Sequence, residues 1–392
     1  MSSLTKNPFS IAWLAVVLVA LIGSTFAAQR WAGATGTLPL GVSDTVYAIA
    51  ADTPEVLRIA PDGRIVASAN IPEHPAKIWF VGGEKARDAR VVVLGFQSTR
   101  LWSFNASDLS DMTETKLDIR PMLVAPSPDR RHIAIAETGP GTVILLDAAT
   151  LEEVGRVDGL VGAHDLRFGP NGEFLFVSTL IEGSLAAVRV SDFTVTDTVE
   201  FADFEYGVDH MSRTPDGELG FVVSPVHPFI EPVSLGADLS TLPRVELPSR
   251  PFRALVGPRG ENAWILSQEA PELYQLGLPS DVARETQLSS NTINLSGVPR
   301  TLAPEPFADT KLVATFSGIE RVAAGRGALE HLPTDNPVRV ILPMEGAALS
   351  LMLHEDGTLS RQHAHAALSP EPLDVPRLFA VTAANDLAFC HG

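Results

Sequence analysis

Four copies of one turn, spaced 42, 45 and 43 residues apart, constrain this chain more than any other feature. They read Ser127-Pro128-Asp129-Arg130, Gly169-Pro170-Asn171-Gly172, Thr214-Pro215-Asp216-Gly217 and Gly257-Pro258-Arg259-Gly260. An apolar stretch precedes each. A compact hydrophobic run follows: His132-Ile133-Ala134-Ile135-Ala136, Phe174-Leu175-Phe176-Val177, Leu219-Gly220-Phe221-Val222-Val223 and Ala263-Trp264-Ile265-Leu266. Self-similarity at this period, in a strand-and-turn sequence, predicts a β-propeller, a ring that grows by adding blades. The 30 Gly and 30 Pro suit many tight turns between short strands. A hydrophobic content of 45% is enough to fill the faces between stacked blades.

The third unit contains a whole four-stranded, WD40-like blade. Residues 122–125 read as its first strand, 132–136 as its second, 142–147 as its third and 153–157 as its fourth. The first strand of a propeller blade lies innermost. Stepping back from Pro128 by one period reaches Lys85, and by a second reaches Val42. Stepping forward from Pro258 by 127 residues, three periods, reaches Asn385, between Leu378-Phe379-Ala380-Val381 and Leu387-Ala388-Phe389. The first and last turns then belong to one blade, and the C-terminal strand completes it and closes the ring. The expected fold is all-β, a single propeller of four-stranded blades over residues 42–392. The arithmetic favours eight blades. Seven result if the degenerate stretch 300–375 holds one blade and an insertion.

Lys6 precedes an apolar run over residues 11–28, and Thr25-Phe26-Ala27 and Ala32-Gly33-Ala34 resemble cleavage sites. A run of this length is shared by long signal-peptide cores and short membrane spans. Residues 1–28 therefore read as a signal peptide or a membrane anchor, an apolar helix in either case, and residues 29–41 as a tether. Both readings export the rest of the chain, to the periplasm or beyond. It is either secreted after cleavage or held at the inner membrane by that helix alone. The net charge of −18 comes without any cluster of Lys and Arg, which argues against nucleic acid as a partner. Cys390 is the only cysteine, so there is no internal disulfide. Cys390-His391 also lacks the second cysteine that covalent c-type haem requires.

The blade pattern is an inner strand, Pro-(Asp/Asn)-Gly, a Phe-Val strand, then Val-x-(Leu/Val)-(Asp/Ser) leading into a Thr-(Leu/Val) turn. It is clearest in Phe168-Gly169-Pro170-Asn171-Gly172 and in Val188-Arg189-Val190-Ser191-Asp192-Phe193-Thr194-Val195. This pattern resembles the YVTN/YncE-type propeller family over most of residues 42–392. The resemblance implies the fold. Among such relatives are the d-type haem propellers of periplasmic nitrite reductases, their haem-maturation cousins and the propeller subunits of amine dehydrogenases. It leaves activity open, because one fold hosts many sites.

The phase of the repeat selects candidate residues. Inner strands line the central channel, so the residues that start them ring one mouth. Counting back from each turn gives His164 and Asp165 on one blade and Asp209 and His210 on the next. Arg253, Arg300, Arg377 and Lys77 fall near the same level. His164 and His210 are the metal-ligand candidates, because neutral imidazole is a donor to metals and to haem iron. Arg253, Arg300 and Arg377 suit the bidentate grip of a carboxylate or phosphate. The same polarity also suits a water-filled channel in which each histidine bonds a neighbouring blade. His363 and His365 alternate along one strand face without a third ligand, and His227 lies in a long connection. Ser-elbow, Walker, dinucleotide and zinc-protease motifs are all missing. The expected function is an exported, non-catalytic propeller that binds a small ligand, a cofactor or a protein partner at the channel mouth. The alternative is a haem- or metal-dependent periplasmic oxidoreductase, or a cofactor-maturation protein, using the mouth His and Asp residues. The identity of the ligand or cofactor is not written in the sequence.

Overall fold

The computed structural model describes residues 45–81, 89–201, 208, 210–224, 226–257, 260–278, 288 and 290–383. In it the recurring turn closes the hairpin between the first two strands of a blade. The N–H of the fourth turn residue donates to the carbonyl of the first: Arg130 to Ser127 at 3.0 Å, Gly172 to Gly169 at 3.0 Å and Gly217 to Thr214 at 3.0 Å. The Asp or Asn after the proline accepts from the N–H two residues on, as Asp216 does from Glu218 at 3.1 Å. Gly172, Gly217 and Gly260 sit at φ of +72°, +78° and +72°. A Cβ there costs about 1–2 kcal/mol. Glycine has a second reason to be present, because successive turns touch. A Cβ on Gly217 would stand 2.2 Å from Pro170 Cδ, and one on Gly260 would stand 3.3 Å from Pro215 Cδ. Each of these glycines lies against the proline of the preceding turn, so the turns of blades 3 to 6 form a belt at one end of the channel, the turn face.

Eight antiparallel sheets make up the ring. Blade 2 is Pro75–Val81, Arg90–Gly95, Arg100–Asn105 and Thr113–Lys116. Blade 3 is Leu123–Pro126, His132–Glu137, Thr142–Asp147 and Glu153–Val157. Blade 4 is Ala163–Phe168, Phe174–Thr179, Ser184–Arg189 and Thr194–Glu200. Blade 5 is His210–Arg213, Leu219–Val223 and Phe229–Ser234, with Ser240–Thr241 and Val245–Glu246 sharing its outer edge. Blade 6 is Pro251–Val256, Asn262–Ser267, Glu272–Gly277 and Ser290–Asn294. The degenerate stretch holds two full blades, so the count is eight. They are blade 7, Pro299–Pro304, Thr310–Thr315, Gly318–Ala323 and Gly327–Pro333, and blade 8, Val338–Met344, Leu349–His354, Leu359–His363 and Glu371–Pro372. Their first turns keep a left-handed residue without glycine, Phe307 at φ 57° and Ala348 at φ 50°. The repeat fades there because Phe307 replaces the Asx acceptor on blade 7 and the blade 8 turn Glu345-Gly346-Ala347-Ala348 has neither the proline nor the Asx.

Blade 1 joins both parts of the chain. Leu378–Ala383 is its inner strand, and Val46–Ala50, Glu55–Ile59 and Ile65–Asn70 follow outward. Val46 faces Ala383 and Ala48 faces Val381 in the register that closes the ring. The apolar run 11–28, the tether, the Asn385 turn and Cys390 lie outside the described residues. No described helix is long and apolar enough to cross a membrane.

Each sheet buries both faces against its neighbours. Between blades 3 and 4, Ala134, Ala136, Val143 and Leu145 meet Leu166, Phe168, Leu175 and Val177. Comparable clusters fill the next junctions, including that between blades 8 and 1. Each of the Val, Leu and Phe side chains contributes about 1.5–3 kcal/mol on burial, and each Ala less. That offsets local strain in the turns before the outer strands, where buried Leu109, Leu151 and Phe193 hold φ of 58°, 59° and 52°. Blades 7 and 8 are also pinned by Arg321, which donates to Glu305 Oε1 at 2.8 Å and to the Ala366 carbonyl at 2.7 Å, and pairs with Glu330.

The belt predicts a position-specific penalty. Gly217→Ala combines a left-handed φ with a clash on Pro170 and should lower stability by about 2–4 kcal/mol. Gly139 is exposed, has open space around it and no positive φ, so Gly139→Ala should change stability by less than about 0.5 kcal/mol. Urea unfolding of both variants decides this; equal midpoints would contradict the belt contact.

Candidate ligand site at the channel mouth

A β-bulge recurs where inner strands begin. In blade 4 Ala163 faces Thr179 and Asp165 faces Ser178, so His164 is left over. The same skip leaves Ala76, Phe252, Arg300, Arg339 and Phe379 unpaired on blades 2, 6, 7, 8 and 1. A bulge breaks the alternation of the strand and re-aims one side chain. Here it does so on six blades at the same level, the end of the channel opposite the turn belt. We call this end the mouth face.

Beside the bulge, Asp165 turns toward blade 5. Its Oδ2 accepts from the Met211 N–H at 3.1 Å and from Arg167 Nε at 3.2 Å, and lies 3.1 Å from His210 Nδ1. Arg167 Nε also donates to the Met211 carbonyl at 3.1 Å, and Arg213 returns from blade 5 to the Phe168 carbonyl at 2.8 Å. The group therefore stitches two inner strands together. Burial pushes the Asp165 carboxyl up, but Arg167, His210 and the Met211 N–H together outweigh it and hold the group ionised, below the usual carboxylate range. Burial pushes the His210 imidazole down to about 4; the Asp165 carboxylate opposes this, and Arg167 and Arg253 add to it. His210 is thus neutral near pH 7. Facing an ionised acceptor, its Nδ1 carries the proton and donates to Asp165, so the nearby Arg167 Nη2 at 3.3 Å is a neighbouring donor and not a partner. The lone pair then sits on Nε2. That atom is buried and has no hydrogen-bond partner among the described residues, on a side chain whose residue is only 7% exposed.

The other candidates separate. His164 is the half-buried bulge residue of blade 4, while His210 is buried against Asp165. Arg253 follows the blade 6 bulge and stacks over Phe252, 5.4 Å from the ring centroid. Arg300 is the blade 7 bulge residue; it pairs with Glu355 and lies 4.6 Å over Phe316. Arg377 immediately precedes the blade 1 inner strand and is mostly exposed, donating to the Asp356 carbonyl at 2.8 Å. Lys77 donates to the Met122 carbonyl of blade 3 at 3.0 Å. Asp209 lies outside the described residues. Among the described residues no three His, Cys, Asp or Glu side chains form a group that could hold a metal ion. Two residues were passed over by sequence reasoning. Arg167 shares a strand face with Asp165 by simple alternation and was legible that way. Arg339, which donates to the Leu378 carbonyl at 3.2 Å, sits where the repeat is too faded to give a phase.

The His210 arrangement carries a pH signature. A pKa depressed in the fold means the unfolded chain binds the extra proton first. Stability is therefore complete above about 6.5 and falls as pH drops from there toward 4. His210→Gln should flatten that limb of the stability profile. Ring-nitrogen NMR should find His210 neutral and Nδ1-protonated at pH 6; a charged ring at that pH would contradict the assignment.

No family model and no curated protein matches the chain. The repeat pattern that resembles the YVTN/YncE type is thus not matched by a model of any family. Solved structures do match. Dihydro-heme d1 dehydrogenase NirN, in complex with DHE, is similar over 88% of this chain and 76% of its own, with a TM-score of 0.68 and 14% identity. The C-terminal WD40 domain of Sif2 is similar over 80% and 91%, with a TM-score of 0.62 and 9% identity. A functionally unknown protein from Desulfotomaculum acetoxidans DSM 771 covers 74% and 95%, with a TM-score of 0.54 and 10% identity. At these identities the likeness is one of fold alone, and the eight sheets of this chain make it an eight-bladed propeller.

Proposed function

We propose that this chain is an exported, non-catalytic propeller that binds a small ligand or cofactor at its mouth face. The observation that carries the reading is the repeated bulge, which delivers His164, Arg300 and Arg339 to one level of the channel on three blades. A regular strand would leave those positions in the ladder. An imidazole on one side and guanidinium groups across the ring suit a ligand with an acidic group and a separate donor or metal. Export rests on Lys6 and the apolar run over residues 11–28. The absence of a catalytic motif from the sequence supports a binding role.

A second reading has its own observation. His210 donates through Nδ1 to a carboxylate and keeps Nε2 bare. Metal-ligating histidines are commonly oriented in this way. A buried ring nitrogen without a partner costs about 1–3 kcal/mol, which a bound donor or metal would recover. The fold likeness to NirN, a protein named for a haem d1 derivative, agrees with a haem or metal at this atom. Such a group would add Lewis-acid or redox chemistry, and this chain's part would be to hold it through Nε2 and fix the ring through Asp165.

The experiment is chain purified from its native host, analysed by mass spectrometry before and after denaturation and by visible absorption. The expected result is a small molecule released on denaturation and lost from His164→Ala/Arg300→Ala, with the melting temperature kept within a few degrees. A visible chromophore or stoichiometric metal that disappears in His210→Ala favours the second reading. Native chain that releases nothing, and takes up neither haemin nor Zn(II) on titration, would overturn both.

A further inference from the structure

The described chain has 13 exposed large hydrophobic side chains, and their placement is not random. Five lie on outermost strands: Ile65, Val66, Val154, Val195 and Leu329. Met112 and Phe307 lie in loops toward the turn face. The remaining six, Phe96, Met122, Ile181, Phe252, Phe316 and Phe379, stand on the mouth face, one on each of six blades, at 38–68% exposure. Topology fixes this side. Phe252 and Phe379 are bulge residues at the start of inner strands. Met122 immediately precedes the blade 3 inner strand. Phe96, Ile181 and Phe316 follow second strands, and the Phe96 and Phe316 N–H groups donate to His74 and Val298, just before inner strands begin.

Size decides what such a ring could meet. Packed sheets stand about 10 Å apart, so eight of them make a ring on the order of 25 Å across at mid-blade. A disc of that width offers several hundred Å², close to one partner's share of a standard protein interface, about 800 Å². A drug-sized ligand is roughly 10 Å across and cannot cover it. Composition points the same way, since Phe, Met and Arg are enriched in interface cores. Three of the phenyl rings carry a guanidinium: Arg253 over Phe252 at 5.4 Å, Arg300 over Phe316 at 4.6 Å and Arg339 over Phe379 at 5.9 Å. These fall on the arc from blade 6 to blade 1, in a chain whose net charge is −18. Arg300 and Arg339 both interact with one carboxylate there, Glu355.

We infer that the mouth face docks a partner protein through an apolar patch, and that the partner presents carboxylates to the arginine arc of blades 6 to 8. The apolar half of the inference stands apart from the small-ligand reading, because the six apolar residues are not needed to hold a ligand within the channel; Arg300 and Arg339 are common to both, so the Phe252→Ser/Phe316→Ser variant is the arm that tests the docking surface alone. The test is site-specific photo-crosslinking of the full chain in its native host, with p-benzoylphenylalanine in place of Phe252, Phe316 or, on the opposite face, Phe307. The expected result is one and the same heterologous product from the first two probes and none from the third. With that protein purified, Phe252→Ser/Phe316→Ser and, separately, Arg300→Glu/Arg339→Glu should each weaken binding by about tenfold or more. Circular dichroism confirms that the variants remain folded. Equal products from both faces, no product, a product of two copies of this chain, or undiminished affinity of either variant would each overturn the inference. An anion-rich vesicle of phosphatidylglycerol that binds the chain and competes with the crosslink would also overturn it, in favour of a lipid surface.

Discussion

The whole molecule depends on a sheet with two apolar faces. No blade can bury both alone, so each needs two neighbours, and only a closed ring gives every blade two. Closure falls to the pairing of Leu378–Ala383 with Val46–Ala50, which joins segments from opposite ends of the described chain in one sheet. The turn belt is a consequence of the same constraint. The first hairpins of blades 3 to 6, brought to one level around the channel, touch one another, and Gly217 against Pro170 is where they do so most tightly.

The two ends of the channel are built differently for a physical reason. At the turn face the chain reverses through a fixed set of bonds that leaves little room for variation. At the mouth face the connections into the inner strands follow no common turn, and on six blades the bulge frees one residue from the ladder. Variation in chemistry is therefore concentrated at the mouth: imidazole on blade 4, phenyl on blades 6 and 1, guanidinium on blades 7 and 8. The Asp165–His210–Arg167 group lies beside this ring and has a structural role whatever binds, since it ties two inner strands. Its unpartnered Nε2 is the part that the packing does not account for.

Much of the architecture was legible from local chemistry. The turn has a sequence because its bonds are local: proline, an Asx acceptor and a glycine lie within four residues. The strands were legible because both faces are buried, which makes the second and third strands nearly continuous apolar runs, as in Thr142–Asp147. Blades 7 and 8 were the obscure region, because their turns lack the Asx acceptor after a proline: Phe307 stands in its place on blade 7, and the blade 8 turn Glu345-Gly346-Ala347-Ala348 has no proline. The mouth residues were only partly legible. Repeat phase brought His164, Asp165, His210, Arg253 and Arg300 to about the right level, but it could not reveal the bulge that takes His164 out of the ladder.

The sequence by itself determined a ring of four-stranded blades, its period, its closure by the C-terminal strand and which residues start the inner strands. All of these follow from contacts between residues close in the chain, or from a count of equal repeats. Only the tertiary structure decided that His210 pairs with Asp165 across blades 4 and 5, that Arg377 bonds the Asp356 carbonyl of blade 8, and that six large apolar residues share one face. Those outcomes depend on partners some 40 to 50 residues apart, such as Met211 and Asp165 at a separation of 46. Such pairs meet because neighbouring blades stack, and nothing in the local sequence of either partner encodes the other.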